Sequence, residues 1–112
     1  MTTGAKLQLV LETLDEVKAV DINVIEVGDR THLMDYVVVC SGTSSVHMRA
    51  ISDRVKERLK QEGFKGVRTE GYEASRWILL DYGDIVLNVF DPQERAFYDL
   101  EAIWQKARQA VA

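Results

Sequence analysis

Three stretches of the chain place apolar side chains at helical spacing. The first runs from about Ala5 to Ala19 and the second from about Ser45 to Glu62. A third begins at Pro92, because Asp91 is a suitable N-cap, proline is favoured at the first helical position and Glu94 completes a capping box. The predicted inward stripes are Leu7, Val10, Leu11, Leu14 and Val17; Met48, Ile51, Val55 and Leu59; and Phe97, Leu100, Trp104, Ala107 and Val111.

The remaining apolar runs have the composition of β-strands. Asp21–Val27 nearly alternates apolar and polar residues, whereas Tyr36–Cys40 is apolar throughout, as expected of a strand covered on both faces, and we place it at the centre of the sheet. Gly66–Glu70 is polar enough for a sheet edge. Trp77–Leu80 and Ile85–Phe90 are joined by four residues rich in Asp and Gly, which predicts a β-hairpin.

These elements predict one α/β domain over residues 1–112, with a mixed five-stranded sheet, three helices and the order α-β-β-α-β-β-β-α. Five strands at ~4.8 Å spacing are ~24 Å wide, or ~48 Å over both faces. Three helices of ~10 Å diameter cover only ~30 Å of this width. Because several strands are apolar on both sides, we expect part of one sheet face to remain open as a protein interface.

The composition of the chain limits the classes of molecule that it is expected to bind. The formal net charge is −4, and no segment collects the Lys and Arg residues that direct DNA binding requires, so a basic protein is the more natural partner. No apolar segment approaches the roughly 20 residues needed to cross a bilayer. The single cysteine, Cys40, lies inside an apolar run, which indicates a reducing compartment. We therefore expect a cytoplasmic protein without a membrane partner.

The segment that precedes the second predicted helix resembles an anion site. Gly42, Thr43 and Ser44 form a glycine–serine turn at a helix N-terminus, where free N–H groups and the helix dipole favour negative charge. Simple capping of the helix by Thr43 or Ser44 explains the same residues. His47 lies in the first turn of this helix and either hydrogen-bonds locally or contacts a partner. Both pairs of alternatives stay open at this point.

The sequence offers little support for catalysis. Nucleotidyl transfer needs two carboxylates on one strand face to hold metal ions, whereas Asp81 and Asp84 flank the predicted hairpin turn. Cys40 and the two histidines lack the spacing of metal ligands. We predict no catalytic residue, no metal site and no cofactor. The alternative is a nucleotide-dependent enzyme of nucleotidyltransferase type that uses the Gly42-Thr43-Ser44 turn.

Four blocks of sequence are informative as a set: Asp35–His47, Glu70-Gly71, Trp77–Asp84 and Arg95–Glu101. In their order and content the chain closely resembles the ribosomal silencing factor (RsfS, or Iojap-like) family over nearly its whole length. The resemblance implies a nucleotidyltransferase-like fold without transferase activity, and a homodimer. It also implies binding to protein number fourteen of the large ribosomal subunit, which blocks joining of the two subunits and represses translation under nutrient limitation.

Under this resemblance, the acidic and aromatic hairpin faces the basic ribosomal protein. Alternation and expected exposure select Trp77, Leu79, Asp81, Tyr82 and Asp84 as the predicted partner-binding residues. A strand tryptophan either fills the core or anchors a partner. Since Trp77 shares its strand face with Asp81, and a carboxylate avoids a dry core, we favour the anchor.

Overall fold

The computed structural model describes residues 2–29, 31–64 and 66–102. The predicted order of elements and the mixed five-stranded α/β fold are confirmed, while the likeness to nucleotidyltransferases stays a prediction. None of the helices within these ranges is long and apolar enough to span a membrane. The elements are helix α1 (Thr3–Glu16), strands β1 (Val20–Glu26) and β2 (Tyr36–Ser41), helix α2 (Ser45–Gln61), strands β3 (Arg68–Glu70), β4 (Trp77–Asp81) and β5 (Ile85–Phe90), and helix α3 (Pro92–Tyr98).

The strands follow the order β1-β2-β5-β4-β3, with β2 and β5 parallel and every other pair antiparallel. β4 and β5 form the predicted hairpin, and β3 is an edge strand as predicted. The placement of Tyr36–Cys40 at the centre was wrong, because β5 is the middle strand and all six of its residues are buried. An apolar run indicates that a strand is covered on both faces, as both β2 and β5 are. It does not indicate the position of that strand within the sheet.

Helices α1 and α2 cover one face of the sheet. The predicted stripe of α2 is confirmed, since Met48, Ile51, Val55 and Leu59 are at most 1% exposed. The predicted stripe of α1 packs into the same cluster, with Val10 and Leu14 fully buried and Leu7, Leu11 and Val17 partly buried. The buried face of α1 is wider than predicted, because it also includes Leu9 and Thr13, whose hydroxyl donates to the Leu9 carbonyl at 2.7 Å. That internal hydrogen bond lets a polar residue enter the core. The sheet contributes Val38, Cys40, Ile78, Leu80, Ile85, Leu87 and Val89 to this apolar layer.

The opposite face, which we call the open face, is covered only in part by the described residues. Helix α3 begins at Pro92 as predicted, and Asp91 Oδ1 accepts from the Gln93 N–H at 3.3 Å. The capping box does not form, because the Asp91 N–H donates to the Arg76 carbonyl at 2.9 Å and is not available to Glu94. A second buried cluster lies on this face, formed by Ile25, Val27, Val37, Val39 and Phe90, with Met34, Trp77 and Leu100 packed against it.

The chain bends at the end of α3. Asp99 adopts left-handed backbone angles (φ 46°, ψ 50°), and helical residues resume at Leu100. The prediction of one continuous helix with Phe97 and Leu100 on the same inward face was therefore wrong: Phe97 is 80% exposed, while Leu100 packs on the sheet. The rest of that predicted stripe, Trp104, Ala107 and Val111, lies outside the described residues.

Candidate functional site

Strand β4 shows the alternation that the sequence predicts. Ile78 and Leu80 are fully buried beneath the two covering helices. Trp77, Leu79 and Asp81 lie on the open face and are each partly exposed. Three of the five predicted partner-binding residues therefore line one strand, with apolar side chains at one end and a carboxylate at the other.

The indole of Trp77 is held by three contacts. It stacks on Phe90 with ring centroids 4.8 Å apart, and it lies tilted against Tyr98 at 5.0 Å. Its Nε1–H donates to Asn88 Oδ1 at 2.9 Å, and the buried Asn88 amide in turn donates to the Val38 carbonyl at 3.4 Å. Because the ring is half-buried and fixed, it fills part of the second cluster and still presents surface to solvent. Both proposed roles of this tryptophan have a physical basis.

Trp77 and Leu79 form a ridge between two cavities. On one side lies a cavity of about 160 Å³, lined by apolar side chains except for Asn88. On the other side lies a cavity of about 280 Å³ bounded by Glu70 and Gly71. A ridge with a groove on each side suits a partner that inserts apolar side chains beside a tryptophan. The first cavity is lined by Met34, Val37, Trp77, Leu79, Val86, Asn88 and Leu100.

The turn before β4 depends on glycine. Gly71 has a φ of +79°, and a Cβ at this position would lie 2.0 Å from the Trp77 carbonyl oxygen. No side chain fits at that distance, and the left-handed φ disfavours other residues as well. The close backbone approach sets where β4 begins, and so it sets where Trp77 lies.

The hairpin turn divides the remaining predicted residues. Gly83, with φ +87°, donates its N–H to Asp81 Oδ1 at 2.8 Å, which closes the turn. Asp84 points to α1 instead, where it accepts from Lys6 Nζ and Thr3 Oγ1, each at 2.8 Å. Tyr82 packs with the covered-face cluster, near the same lysine. The structure therefore groups Trp77, Leu79 and Asp81 on the open face, and places Tyr82 and Asp84 against α1.

Burial and hydrogen bonding shift the pKa values of Tyr82 and Asp84. Burial raises the pKa of Tyr82 to about 12, and its hydroxyl makes no hydrogen bond within the part of the chain that the structure describes. Partial burial acts to raise the pKa of the Asp84 carboxyl, but the hydrogen bonds from Lys6 and Thr3 outweigh it and lower the pKa. Asp84 is thus a carboxylate that joins the hairpin to α1.

The serine turn caps α2. Ser44 Oγ accepts from the His47 N–H at 3.0 Å, which confirms the capping interpretation. His47 is engaged locally, with Nδ1 accepting from the Thr43 N–H at 2.9 Å and Nε2 donating to the Val17 carbonyl at 2.7 Å. A cavity of about 180 Å³ lies beside Gly42, Thr43 and Ser44, but the Asp91 carboxyl also lines it and disfavours an anion. Phosphate binding there stays a prediction.

The Cys40 side chain is buried and lacks the features of a reactive thiol. Burial raises the pKa of Cys40 to about 12, despite the opposing influence of the Arg95 charge, so the thiol stays protonated. Within residues 2–29, 31–64 and 66–102, no three His, Cys, Asp or Glu side chains are placed to hold a metal ion.

A polar network holds the end of α3 on the sheet. Arg95 Nε donates to Glu101 Oε1 at 2.7 Å, and Asn23 Nδ2 donates to Glu101 Oε2 at 2.6 Å. Arg95 also donates to Ser41 Oγ at 3.0 Å. The Arg95 hydrogen bond lowers the pKa of Glu101, against partial burial and with help from Asn23. This network places Leu100 at the wall of the smaller cavity.

Sequence reasoning missed several residues that build this site. Asn88, Tyr98 and Leu100 were not among the predicted contacts, yet all three surround the Trp77 indole or the adjoining cavity. The signal for Asn88 was available, since it is the only polar residue in the apolar run from Ile85 to Phe90. A polar side chain in a buried strand requires a hydrogen-bond partner, and here that partner is the tryptophan.

Comparison with known proteins identifies the family of the chain. The sequence model described as "Ribosomal silencing factor during starvation" matches residues 1–112. The chain belongs to the ribosomal silencing factor family. The ribosomal silencing factor RsfS of Halalkalibacterium halodurans is 35% identical over 107 residues, which covers 96% of this chain and 92% of that one. The RsfS of Bacillus subtilis is 32% identical over 107 residues, covering 96% and 91%.

Two further relatives extend the comparison. A mouse protein named "Mitochondrial assembly of ribosomal large subunit protein 1" is 33% identical over 106 residues, which cover 90% of this chain and 46% of the mouse protein. A crystal structure of a protein from Chromobacterium violaceum superposes with a TM-score of 0.91 at 33% identity, covering 94% of this chain and 88% of that chain. The fold is therefore that of solved proteins related in sequence. The family name supports a role in ribosome silencing.

Proposed function

We propose that the chain binds a basic protein of the large ribosomal subunit through the open face around Trp77. The partner is the protein numbered fourteen in the standard series, which the family resemblance implies. A bound copy occupies the surface that the small subunit would meet, so joining is blocked and translation falls under nutrient limitation. The mouse relative is itself named for the large ribosomal subunit, which agrees with this choice of subunit.

The observation that carries the proposal is the ridge on β4. Trp77 is partly exposed although it is held by Phe90, Tyr98 and Asn88, so partner binding costs little side-chain entropy. Buried tryptophans at the centre of an interface commonly dominate its binding energy. Asp81 at the end of the ridge adds a negative charge, and the net charge of −4 favours a cationic partner.

The mechanism requires no chemical step. A tightly bound domain prevents subunit association by excluded volume alone, so neither nucleotide nor metal takes part. The nucleotide-dependent alternative predicts heat of binding when nucleotide and Mg²⁺ are added, and calorimetry tests it directly. We further propose that the free protein is a cytoplasmic homodimer, as the resemblance implies, and sedimentation of the purified chain measures this.

The decisive experiment follows the association of purified ribosomal subunits by light scattering. A stoichiometric excess of the protein should lower the joined fraction without consuming nucleotide, and sucrose gradients should show it with the large subunit. Asp81→Lys should weaken the effect, because it reverses a charge that faces a basic surface. Val46→Ser, on the outer side of α2, is the matched control and should act as wild type. Unchanged association in the presence of the wild-type protein would refute the proposal.

A further inference from the structure

Four aromatic side chains form a continuous row from the core to the outer surface of α3. The buried Phe90 stacks on Trp77 at 4.8 Å, Trp77 contacts Tyr98 at 5.0 Å, and Tyr98 meets Phe97 edge-on at 5.2 Å. Exposure increases along the row, with Tyr98 at 47% and Phe97 at 80%. The ridge on β4 therefore does not end at Trp77, because it continues across the helix that partly covers the open face.

The exposed Phe97 side chain does not hold α3 on the sheet. Helix α3 contributes no buried residue of its own, and it is held by the contacts of Arg95 and by the capping of Asp91 rather than by Phe97. Single exposed apolar residues are common on protein surfaces. The Phe97 ring differs from such isolated residues, because it contacts the exposed Tyr98, which in turn contacts the partly exposed Trp77. Contiguous apolar surface of this kind marks an interaction site.

The charges around this row are mostly negative. The segment from residue 91 to residue 101 carries four carboxylates and one guanidinium, that of Arg95. Arg95 is already paired with Glu101 at 2.7 Å, so Asp91, Glu94 and Asp99 set the charge of the surrounding surface. Aromatic faces beside carboxylates attract Lys and Arg side chains, which bring both a cation and an apolar stem.

We propose that Phe97 and Tyr98 form the second half of the partner-binding surface, on which a cationic protein partner lays Lys or Arg side chains over the rings. The partner then seats on β4 and α3 together, with Trp77 at the centre of the contact and Phe97 at its margin. This inference rests on the proposed function, since the cationic partner is the ribosomal protein that the ridge on β4 binds.

The test is the affinity of the full chain for the purified large subunit, measured with variants of two exposed residues. Phe97→Ser should weaken binding at least tenfold and leave the thermal midpoint unchanged, because the ring is 80% exposed. Phe97→Leu should give an intermediate loss, since it keeps apolar surface but removes the aromatic face. Val46→Ser removes a side chain that is 69% exposed on α2, in the layer on the other side of the sheet, and should bind as wild type.

The outcomes separate this inference from the proposed function. If wild type does not bind the large subunit, the proposed function fails, and this inference fails with it. If wild type binds and Trp77→Ala weakens binding while Phe97→Ser does not, only the role of α3 is overturned. If Phe97→Ser instead alters self-association in sedimentation with no change in subunit affinity, the row is a contact between copies and the inference is again overturned.

Discussion

The two faces of the sheet are built on different principles. Beneath α1 and α2 the buried strand side chains are apolar, such as Ile78, Leu80 and Leu87, each with no exposed surface. On the open face, aromatic rings alternate with hydrogen-bonding groups, and Asn88 and Ser41 both bind side chains there. A face that is fully covered from within its own chain has no need of polar groups. The open face keeps them because they fix its exposed rings in place.

The difference extends to how each layer is attached. The covered face is held by a large contiguous apolar cluster, whereas the end of α3 is held over the open face mainly by the polar network of Arg95, Glu101 and Asn23. Apolar burial is strong and non-directional, while hydrogen bonds position groups at modest net stability. The covered face therefore supplies most of the apolar burial, while the open face adds a smaller buried cluster and presents a shaped surface. The predictions below test this division.

The largest effect should come from truncation on the covered face. Leu80→Ala leaves a cavity in a fully buried cluster and should lower the free energy of unfolding by about 2–5 kcal/mol, measured by urea denaturation. Binding to the large subunit per folded molecule should be unchanged. Trp77→Ala should do the reverse, with a smaller loss of stability and at least a tenfold loss of affinity, equivalent to ~1.4 kcal/mol or more.

If the Trp77→Ala protein is strongly destabilised but still binds normally, Trp77 acts as a core residue and the binding site lies elsewhere on the sheet. Equal losses of stability in both variants would also remove the proposed division between the faces.

Removal of the tryptophan's hydrogen-bond partner should have the next largest effect. Asn88→Leu leaves Nε1–H of Trp77 without its acceptor and should cost about 2 kcal/mol of stability. In a Trp104→Phe background, the fluorescence anisotropy of Trp77 should fall, because the indole is no longer fixed, and subunit affinity should fall with it. In the matched Trp77→Phe background, Asn88→Leu should change affinity little. An unaltered anisotropy would show that packing alone fixes the ring.

The contact between the hairpin and α1 should appear in the pH dependence of stability. Asp84 has a pKa below its ordinary value of 3.8 in the folded protein, so its contribution is fully present above that value and is lost as pH falls through the folded pKa. Asp84→Asn should lower stability by about 1.5 kcal/mol at neutral pH, as for one hydrogen bond to a charged group. The difference from wild type should narrow below about pH 4. A difference that persists at pH 2 would show that ionisation is not its cause.

The smallest effect should come from the cap of α3. Asp91→Ala should lower the free energy of unfolding by about 1 kcal/mol, and Asp91→Asn should lower it less, because asparagine keeps an acceptor oxygen for the Gln93 N–H. Thermal melting of both variants measures this. Because Arg95, Glu101 and Asn23 still hold the end of α3 on the sheet, subunit affinity in the folded fraction should largely survive, with a small loss from the removed negative charge. A neutral midpoint for Asp91→Ala would show that other contacts hold the helix start.

Local patterns in the sequence were sufficient for much of this molecule. Capping chemistry predicted the start of α3 at Pro92, and the Asp–Gly turn predicted the hairpin. Strict alternation assigned Trp77, Leu79 and Asp81 to one face of β4. Each of these features depends on residues within a few positions of one another, where backbone geometry couples side-chain type to structure. The order of elements and the family also followed from the sequence.

The tertiary structure decided what local patterns leave open. Asp84 turns away from the open face because Thr3, 81 residues earlier in the chain, donates a hydrogen bond to it and Lys6, 78 residues earlier, compensates its charge. β5 rather than β2 takes the centre of the sheet because the hairpin inserts it there. Phe97 points outward because the left-handed Asp99 ends the helix and sends Leu100 to the sheet in its place. Such choices depend on groups that meet only after the chain has folded, and no local periodicity records which of them will meet.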